Sequence, residues 1–336
     1  MALLLYRIPE NVLHSPYRVY LWGMKMSVEL LGRFLLKKNE TIYLSTNPDV
    51  LAAVEAGTFK NGRSHYLKHG KSEGRKWGGA DALIKPSPKS NNMTRKIFAE
   101  KIFSESEGNL LEIGPLNMPL INGPRCQYFD IIPTEELIEK ALDAQLDPST
   151  VPNINFWDPK GNLSVIHERF GGVVSAHCIE HQADLIKHLN QVSELLNATG
   201  KYFLVIPDQR YCFDHFLPPS GVMDIITAHL EKREMPISKN IIEHLSLTTH
   251  NDAGRHWLGD HGSVTEKISE RWEAAETLTK NSEGVYIDVH CWQFQPESFR
   301  NLIDILGQLK MISFKCSEVF PTARNNLEFF AVLEKI

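Results

Sequence analysis

The chain has 336 residues, which is long enough for one large domain and a smaller one. Its hydrophobic content of 42% and charged content of 23% are ordinary for a globular protein, and its formal net charge of −5 argues against nucleic acid as a partner. Five scattered cysteines without a CxxC pair indicate neither a disulfide framework nor a zinc ribbon, which favours a cytoplasmic location.

The first residues are apolar but lack the layout of a signal peptide, and no run of 18 apolar residues predicts a membrane span. Residues 1–77 are predicted to form a small, mostly helical module. Residues 19–36 carry apolar side chains at helical spacing, and Asn47-Pro48-Asp49 is typical of the start of another helix. A third helix is expected to end at Gly70.

Two segments of this module carry a distinctive pattern. Residues 43–50 read Tyr-Leu-Ser-Thr-Asn-Pro-Asp-Val, and residues 65–75 begin His-Tyr-Leu and end Glu-Gly-Arg. The pattern resembles a short module that accompanies bacterial glycosyltransferases and proteins of cell-surface polysaccharide assembly. The resemblance implies a context and no chemistry. The structural alternative is that the aromatic side chains of both segments pack a small core of their own.

Residues 78–92 contain Gly-Gly, two prolines and Ser-Asn-Asn, and are predicted to be a linker. The second domain is therefore expected to span 93–336. Its first helix is predicted over 94–106, with Thr94 at its start. An apolar run over 110–113 follows and ends on a Gly-Pro turn, as a buried parallel strand would.

Later segments alternate between apolar runs and helical patterns. Further strands are predicted over 127–131, 153–158 and 172–176, and from 200 to 207, with helices after Thr134 and Ala183. The tail is predicted to add a helix over 296–309 and strands over 312–319 and 327–333. Alternation of this kind predicts a doubly wound, mostly parallel sheet in an α/β domain.

The segment Leu-Leu-Glu112-Ile-Gly114-Pro115 resembles the first motif of Rossmann-like S-adenosylmethionine-dependent methyltransferases. In that family an acidic residue and a glycine-rich turn close on the methionine end of the cofactor. Here Pro115 and the residues after it replace the second and third glycines. The resemblance covers about 95–207 and 290–336, and it implies a seven-stranded sheet whose last strand is antiparallel.

The same resemblance implies a set of cofactor-binding residues. They are Glu112, Gly114, Asn117, Asp130, Asp158 and His177. Asp130 lies near the end of the second predicted strand, 18 residues after Glu112, and is expected to accept hydrogen bonds from the ribose hydroxyls. Asp158 is expected near the adenine amine. For both acids, a role in forming a turn is the alternative.

Residues 208–290 exceed the minimal fold and are predicted to build the acceptor pocket, because this family commonly builds it after strand five. The segment is rich in histidine, acidic residues and arginine. The candidates for acceptor binding are Arg210, Tyr211, His250, Arg255 and His256, and the candidate bases are His181, His261 and His177. The implied acceptor is an oxygen or nitrogen of a small-molecule or glycan-related compound.

A metal site is a further hypothesis. His177-x-x-Glu180-His181 matches the pattern of inverted zinc peptidases, but that chemistry needs both histidines on one helix, and here the pattern follows a strand. The pattern also resembles Glu-x-x-Glu-His, which binds a divalent ion in some RNA and quinone methyltransferases. With one more histidine from the insertion, these residues would favour a transition metal over magnesium. Alternatively, His177 borders the cofactor and the other two shape the pocket.

A second function class stays open. A non-catalytic member would keep the fold as a binding or scaffold module in a polysaccharide assembly, and Pro115 in place of the second glycine favours it. A nicotinamide-dependent oxidoreductase is not favoured, because the chain lacks a GxGxxG motif. The sequence gives no indication of the oligomeric state.

Overall fold

The computed structural model describes residues 40, 43–44, 47–75, 77, 93–281 and 284–336. The chain divides into two units, Met1–Ser90 and Asn91–Ile336. The helix predicted over 19–36 and the linker predicted over 78–92 lie outside the described residues. Within those residues, no helix is long and apolar enough to cross a membrane.

The described part of the first unit is helical. Helix α1 spans Pro48–Glu55, α2 spans Gly62–His65, and a π-helical turn over Tyr66–Gly70 continues α2. Tyr43 is fully buried, its hydroxyl lies 2.9 Å from Nδ1 of His65, and its ring meets that of Tyr66 edge-on. The aromatic side chains therefore pack a small core, which is the structural alternative for this pattern.

The second unit is built on a mixed sheet of seven strands in the order β3-β2-β1-β4-β5-β7-β6. The strands are β1 Leu110–Ile113, β2 Cys126–Asp130, β3 Phe156–Trp157, β4 Phe170–Ala176, β5 Leu196–Pro207, β6 Phe314–Phe320 and β7 Glu328–Lys335. Strands β1 to β5 are parallel, and β7 pairs antiparallel with both β5 and β6. The predicted Rossmann-like sheet with an antiparallel last strand is thus confirmed.

Helices connect the strands on both faces. They are α3 Arg95–Glu105, α4 Thr134–Asp143, α5 Leu185–Leu195, α6 Val222–Leu230, α7 Ser238–Leu247, α8 Ala253–Trp257, α9 Ile268–Asn281 and α10 Pro296–Gln308. The side chain of Thr94 caps α3 and that of Asp184 caps α5, because each accepts a backbone N–H of the first turn. The helix predicted after Thr134 begins at Thr134 itself, whose hydroxyl does not cap the helix but accepts the N–H of Ile154.

The core lies on both faces of the sheet, because alternate residues of each strand point to opposite sides. On β5, Tyr202 and Leu204 pack with α5 and α10, whereas Phe203 and Val205 pack with α3. All four side chains are fully buried, and each such burial contributes about 1.5–3 kcal/mol relative to exposure. Burial on both faces explains why the central strands are continuously apolar.

The predicted insertion after β5 contains α6 to α9 and returns to the sheet before α10. Asp208 and Phe294 form an isolated parallel bridge. The backbone N–H groups of Cys291 and Trp292 donate to the carbonyl of Glu180 at 2.8 and 3.1 Å. The two ends of the insertion therefore meet at the carboxyl edge of the sheet, beside the residues that follow β4.

Candidate functional site

The strand order reverses between β1 and β4, because β1 neighbours β2 on one side and β4 on the other. We call the region at the carboxyl ends of these strands the crevice. Ligands of open α/β sheets bind at such points. Gly114 follows β1 with a φ of +69°, and a Cβ at this position would lie 3.3 Å from Sγ of Cys178, which follows β4. The turn after β1 therefore requires glycine for both its conformation and its close contact.

Glu112 is buried one residue before the end of β1, and its carboxylate stabilises the loop that follows. Oε1 accepts the backbone N–H of Leu120 at 2.8 Å, and Oε2 accepts that of Ile121 at 3.0 Å. Burial raises the pKa of Glu112 to about 7, although these two donors and the charge of Arg95 act to lower it. The residue predicted to bind the methionine end thus holds the loop from within.

Asp130 lies at the carboxyl end of β2, as predicted, and is 9% exposed. Its Oδ1 accepts the backbone N–H of Ile131 at 2.7 Å and that of Ile132 at 3.4 Å. Among the described residues, no hydrogen bond ends on Oδ2. Burial raises the pKa of Asp130, against the backbone donors that lower it. One carboxylate oxygen at the crevice is therefore available for a ligand hydroxyl.

The other two predicted cofactor residues of this edge have different environments. Asn117 is buried in the turn after β1 and lines a cleft of about 630 Å³ between that turn and α3. Asp158 follows β3, and its Oδ1 accepts the backbone N–H groups of Lys160 and Asn162 at 3.0 and 2.9 Å. Asp158 therefore forms a turn, which is the alternative that the sequence left open.

His177 follows β4 in the left-handed region, with a φ of +50°. Its Nε2 lies 2.8 Å from Oε2 of Glu328, the first residue of β7. Both oxygens of Glu328 also accept from the guanidinium of Arg95, at 2.9 and 2.8 Å. This carboxylate orients the imidazole at the edge of the crevice, in a conformation that non-glycine residues rarely adopt.

Glu180 forms the centre of a buried cluster. Its side chain is fully buried, and within the described part of the chain neither carboxylate oxygen has a hydrogen-bond partner. Three ring nitrogens approach its Oε1: Nδ1 of His177 at 3.9 Å, Nε2 of His181 at 3.9 Å and Nε2 of His290 at 3.8 Å. One ligand atom each of Glu180, His181 and His290 all lie within 4.8 Å of one another.

A second carboxylate lies close to the other ring nitrogen of each of two histidines in this cluster, as a hydrogen-bond partner of His290 and at ion-pair distance from His181. Nδ1 of His290 lies 2.6 Å from Oδ2 of Asp214, and Nδ1 of His181 lies 2.9 Å from Oδ1 of Asp288. Burial lowers the pKa of His181, but Asp288 and Glu180 raise it, and the resulting pKa lies above 6.5. The contact with His181 in turn lowers the pKa of Asp288 to about 2.

The peptidase alternative does not fit this geometry. Ile179–His181 is a single 3-10 turn, and His177 lies before it at the end of β4. The two histidines are therefore not one turn apart on an α-helix, as an inverted zinc peptidase requires.

A second cluster contains other predicted histidines. Nδ1 of His256 lies 3.0 Å from Nδ1 of His261 and its Nε2 lies 3.0 Å from the carbonyl of His250, while His215 stacks on His261 with ring centres 3.7 Å apart. Burial lowers the pKa of His256. The two leading candidate bases, His181 and His261, therefore belong to different clusters.

The predicted arginines of the acceptor pocket are engaged in ion pairs. Arg210 binds both oxygens of the buried Asp208, at 2.9 and 2.6 Å, and Arg255 is exposed and contacts Asp260 at 2.8 Å. Tyr211 stacks on Trp257 with ring centres 4.1 Å apart. The charges of both arginines are therefore already paired, whereas Tyr211 contributes an aromatic ring.

Several site residues were missed by sequence reasoning. They are His290, Asp288 and Asp214 around Glu180, and Glu328 with Arg95 beside His177. The pair Asp288-x-His290 offered the one local signal, a carboxylate and an imidazole where the insertion returns to the fold. The other contacts join residues more than 75 positions apart.

Comparison with known proteins finds no family model and no curated protein that matches this chain. Solved structures that resemble it include a S-adenosylmethionine-dependent methyltransferase from Clostridium acetobutylicum ATCC 824, at 12% identity and a TM-score of 0.38, covering 73% of this chain and 93% of that one. The CcbJ methyltransferase from Streptomyces caelestis shares 12% identity at a TM-score of 0.36, covering 78% and 100%.

Another resembling structure is described as a Zn-dependent alcohol dehydrogenase from Rhodobacter sphaeroides, at 12% identity and a TM-score of 0.38, covering 74% and 91%. Resemblances at 12% identity and TM-scores below 0.4 give no information about the activity of this chain. The fold assignment therefore rests on the order and direction of the strands.

Proposed function

We propose that this chain is a S-adenosylmethionine-dependent methyltransferase that acts on an oxygen or nitrogen of a small-molecule or glycan-related acceptor. The observation that carries the proposal is Asp130, a buried carboxylate at the end of β2 whose Oδ2 accepts no hydrogen bond from the described residues. It lies at the edge where Gly114 and Cys178 bring the ends of β1 and β4 together. An acid at this position accepts hydrogen bonds from ribose hydroxyls.

The residues present fit the cofactor. Asp130 would bind the ribose, the turn from Gly114 to Asn117 would border the methionine end, and Glu112 would keep that turn rigid through its bonds to Leu120 and Ile121. When bound, S-adenosylmethionine supplies a methyl group on a sulfonium that is already activated. The protein then needs to orient the acceptor and remove its proton.

We assign the proton-accepting role to His177, because Glu328 fixes its orientation and would stabilise the imidazolium. Its side chain is 30% exposed at the crevice, so an acceptor hydroxyl or amine has access to it. The insertion supplies the acceptor pocket, with the stacked Tyr211 and Trp257 as an apolar surface. A role in polysaccharide assembly is part of the proposal and rests on the pattern in residues 43–75 alone.

The test is calorimetric titration of the purified protein with S-adenosylmethionine and S-adenosylhomocysteine. Asp130→Asn removes a charged acceptor whose hydrogen bonds are each worth about 1.5–3 kcal/mol, so the affinity should fall about 10- to 100-fold. Asp147→Asn is the matched control, because Asp147 is an exposed acid that caps a short 3-10 helix over Pro148–Thr150. Its affinity should equal that of the wild type.

Two outcomes would overturn the proposal. A folded wild-type protein that binds neither compound would favour the non-catalytic scaffold instead. Equal affinities for the wild type and Asp130→Asn would remove the observation on which the proposal rests.

A further inference from the structure

We propose that Glu180, His181 and His290 bind a divalent transition-metal ion through Oε1 of Glu180 and Nε2 of both histidines. The inference rests on the geometry of these residues and does not depend on methyltransferase activity. Each ring nitrogen lies 3.8–3.9 Å from Oε1, which is too long for a hydrogen bond and leaves room for an ion between the atoms.

The first argument is the environment of Glu180. A fully buried carboxylate without hydrogen bonds is costly, and proteins retain such groups where they are paired or coordinate a metal. Leu, Val or Gln would fill the same space at lower cost if packing alone mattered. An ion among the three side chains would satisfy the carboxylate and explain its position.

The second argument is the arrangement around the histidines. Metal-binding histidines usually donate the N–H of the outer ring nitrogen to a carboxylate, and this fixes the tautomer. Oδ2 of Asp214 is the hydrogen-bond partner of Nδ1 of His290 at 2.6 Å, and Oδ1 of Asp288 lies 2.9 Å from Nδ1 of His181 at ion-pair distance. With the proton of His290 on Nδ1, its Nε2 carries a lone pair 3.8 Å from Oε1 of Glu180, and Nε2 of His181 lies 3.9 Å from the same oxygen. Imidazole lone pairs this close to a carboxylate oxygen are stabilised when a cation, either a metal ion or a proton, lies between the atoms.

The chemistry of the donor set indicates the class of ion. Two imidazoles and one carboxylate suit zinc, manganese, iron, cobalt or nickel, whereas magnesium and calcium prefer oxygen ligands. Three protein ligands leave a coordination position open for water or an acceptor atom. The side chain of His181 is 24% exposed, against 7% for His290 and 0% for Glu180, so this position opens on the His181 side.

This assignment changes two sequence predictions. The sequence predicted His177, Glu180 and His181 as metal ligands, and His290 now replaces His177 in that set. Nε2 of His177 binds Glu328, whereas the ligand atoms that lie close to one another belong to Glu180, His181 and His290. His181 becomes a metal ligand rather than a free base.

The experiment is titration of chelator-stripped wild-type protein with Co²⁺, followed by visible ligand-field absorption and by metal content after gel filtration. We expect one Co²⁺ per chain, displaced by Zn²⁺ and unaffected by excess Mg²⁺. Glu180→Gln and His290→Gln should abolish this binding. Asp214→Asn, which loosens His290 without removing a ligand, should lower the affinity about 10- to 100-fold.

His256→Gln is the matched control, because His256 belongs to the second histidine cluster, which also has three close imidazoles. This variant should bind Co²⁺ as the wild type does. The proposal is refuted if folded wild-type protein binds no Co²⁺, if binding survives in both Glu180→Gln and His290→Gln, or if it is lost in His256→Gln. Circular dichroism of each stripped variant checks that it is folded.

Titration of the same samples with S-adenosylhomocysteine separates the two proposals. Protein that binds Co²⁺ in this pattern but not S-adenosylhomocysteine would refute the proposed function and retain the metal site. The reverse result would refute the metal site alone.

Discussion

At the scale of single residues, two fully buried carboxylates have opposite surroundings. Both oxygens of Asp208 are bonded to Arg210, and Oδ2 also accepts the hydroxyl of Thr322 at 2.6 Å. Glu180 accepts no hydrogen bond from any described residue. The first arrangement is typical of a structural acid, and the second is typical of a ligand whose partner is added later.

This contrast predicts opposite effects of amide substitution on metal-free protein. Glu180→Gln should leave the free energy of unfolding unchanged or raise it by about 1–3 kcal/mol, because it removes a buried carboxylate that accepts no hydrogen bond from the described residues. Asp208→Asn should lower it by about 1–3 kcal/mol, because donors of Arg210 and Thr322 lose their acceptor. Urea unfolding in the presence of a chelator measures both. A large loss of stability in Glu180→Gln would show that this acid has a structural role.

Glu112 predicts a pH dependence of stability. Its pKa is about 7 in the folded protein and 4.5 for an unperturbed side chain, so the folded state holds the proton more tightly between these values. The contribution of Glu112 to the free energy of unfolding is therefore fully present below about pH 4.5. It decreases as the pH rises and is lost above about pH 7, and the total change is about 3 kcal/mol.

Glu112→Gln cannot titrate and should lack this component. The measurement is the difference in unfolding free energy between the wild type and the variant at several pH values, obtained from urea curves. The difference should favour the wild type more at pH 5 than at pH 8. A difference that does not change with pH would contradict the prediction.

At the scale of elements, Glu328 joins three parts of the fold. It starts β7, binds Arg95 at the start of α3 and contacts His177 at the end of β4. Burial by itself would raise the pKa of Glu328, but the contacts with His177 and Arg95 lower it to about 2. The antiparallel strand therefore does more than extend the sheet, because its first residue fixes a side chain at the crevice.

A double-mutant cycle tests this connection. Arg95→Met and Glu328→Gln should show a coupling energy of about 1–2 kcal/mol in urea unfolding, reduced by the partial exposure of Arg95. Lys315→Met and Glu334→Gln form the control, because this pair on the neighbouring strands is more exposed and 3.4 Å apart. Its coupling should be below about 0.5 kcal/mol. Equal coupling in both cycles would show that the Arg95 pair is an ordinary surface contact.

The order and type of the sheet elements could be predicted from sequence, because strands buried on both faces are continuously apolar. The predicted strand over 172–176 is observed as Phe170–Ala176, and the final pair as Phe314–Phe320 and Glu328–Lys335. The predicted third strand was less accurate, because only Phe156–Trp157 forms a strand, although the backbone N–H groups of Asn155 and Asp158 also donate to the carbonyls of Tyr128 and Asp130 on β2.

The site was only partly predictable, for a physical reason. Asp130 and Gly114 follow from local signals at strand ends, and both lie at the expected edge. The neighbours of Glu180 do not follow, because His290 reaches it across 110 residues of chain and Asp214 reaches His290 across 76. Side-chain contacts of this range depend on how the insertion folds, and a single sequence does not encode that in any local pattern.

At the scale of the whole molecule, the described site draws on five stretches of chain, two of which are the ends of the insertion. They lie at 112–130, 177–181, 208–214 together with 288–290, and 328. Only the sheet brings them together, through the carboxyl ends of its parallel strands and the start of the antiparallel one. The two proposed ligand sites therefore share one edge, and the loss of that sheet would remove both together.

The two ends of the insertion lie next to each other, and this affects which part of the chain can change without loss of the fold. Asp208 pairs with Phe294, and Asp214 contacts His290, so the chain leaves the sheet and returns to it at almost the same place. Doubling the length of a loop between such fixed ends costs only about 0.6 kcal/mol. The stretch between Leu230 and Asp288 can therefore vary in length at little cost in free energy. Under the proposed function, exchanges within this stretch should alter acceptor choice while the sheet and the two fixed ends stay in place.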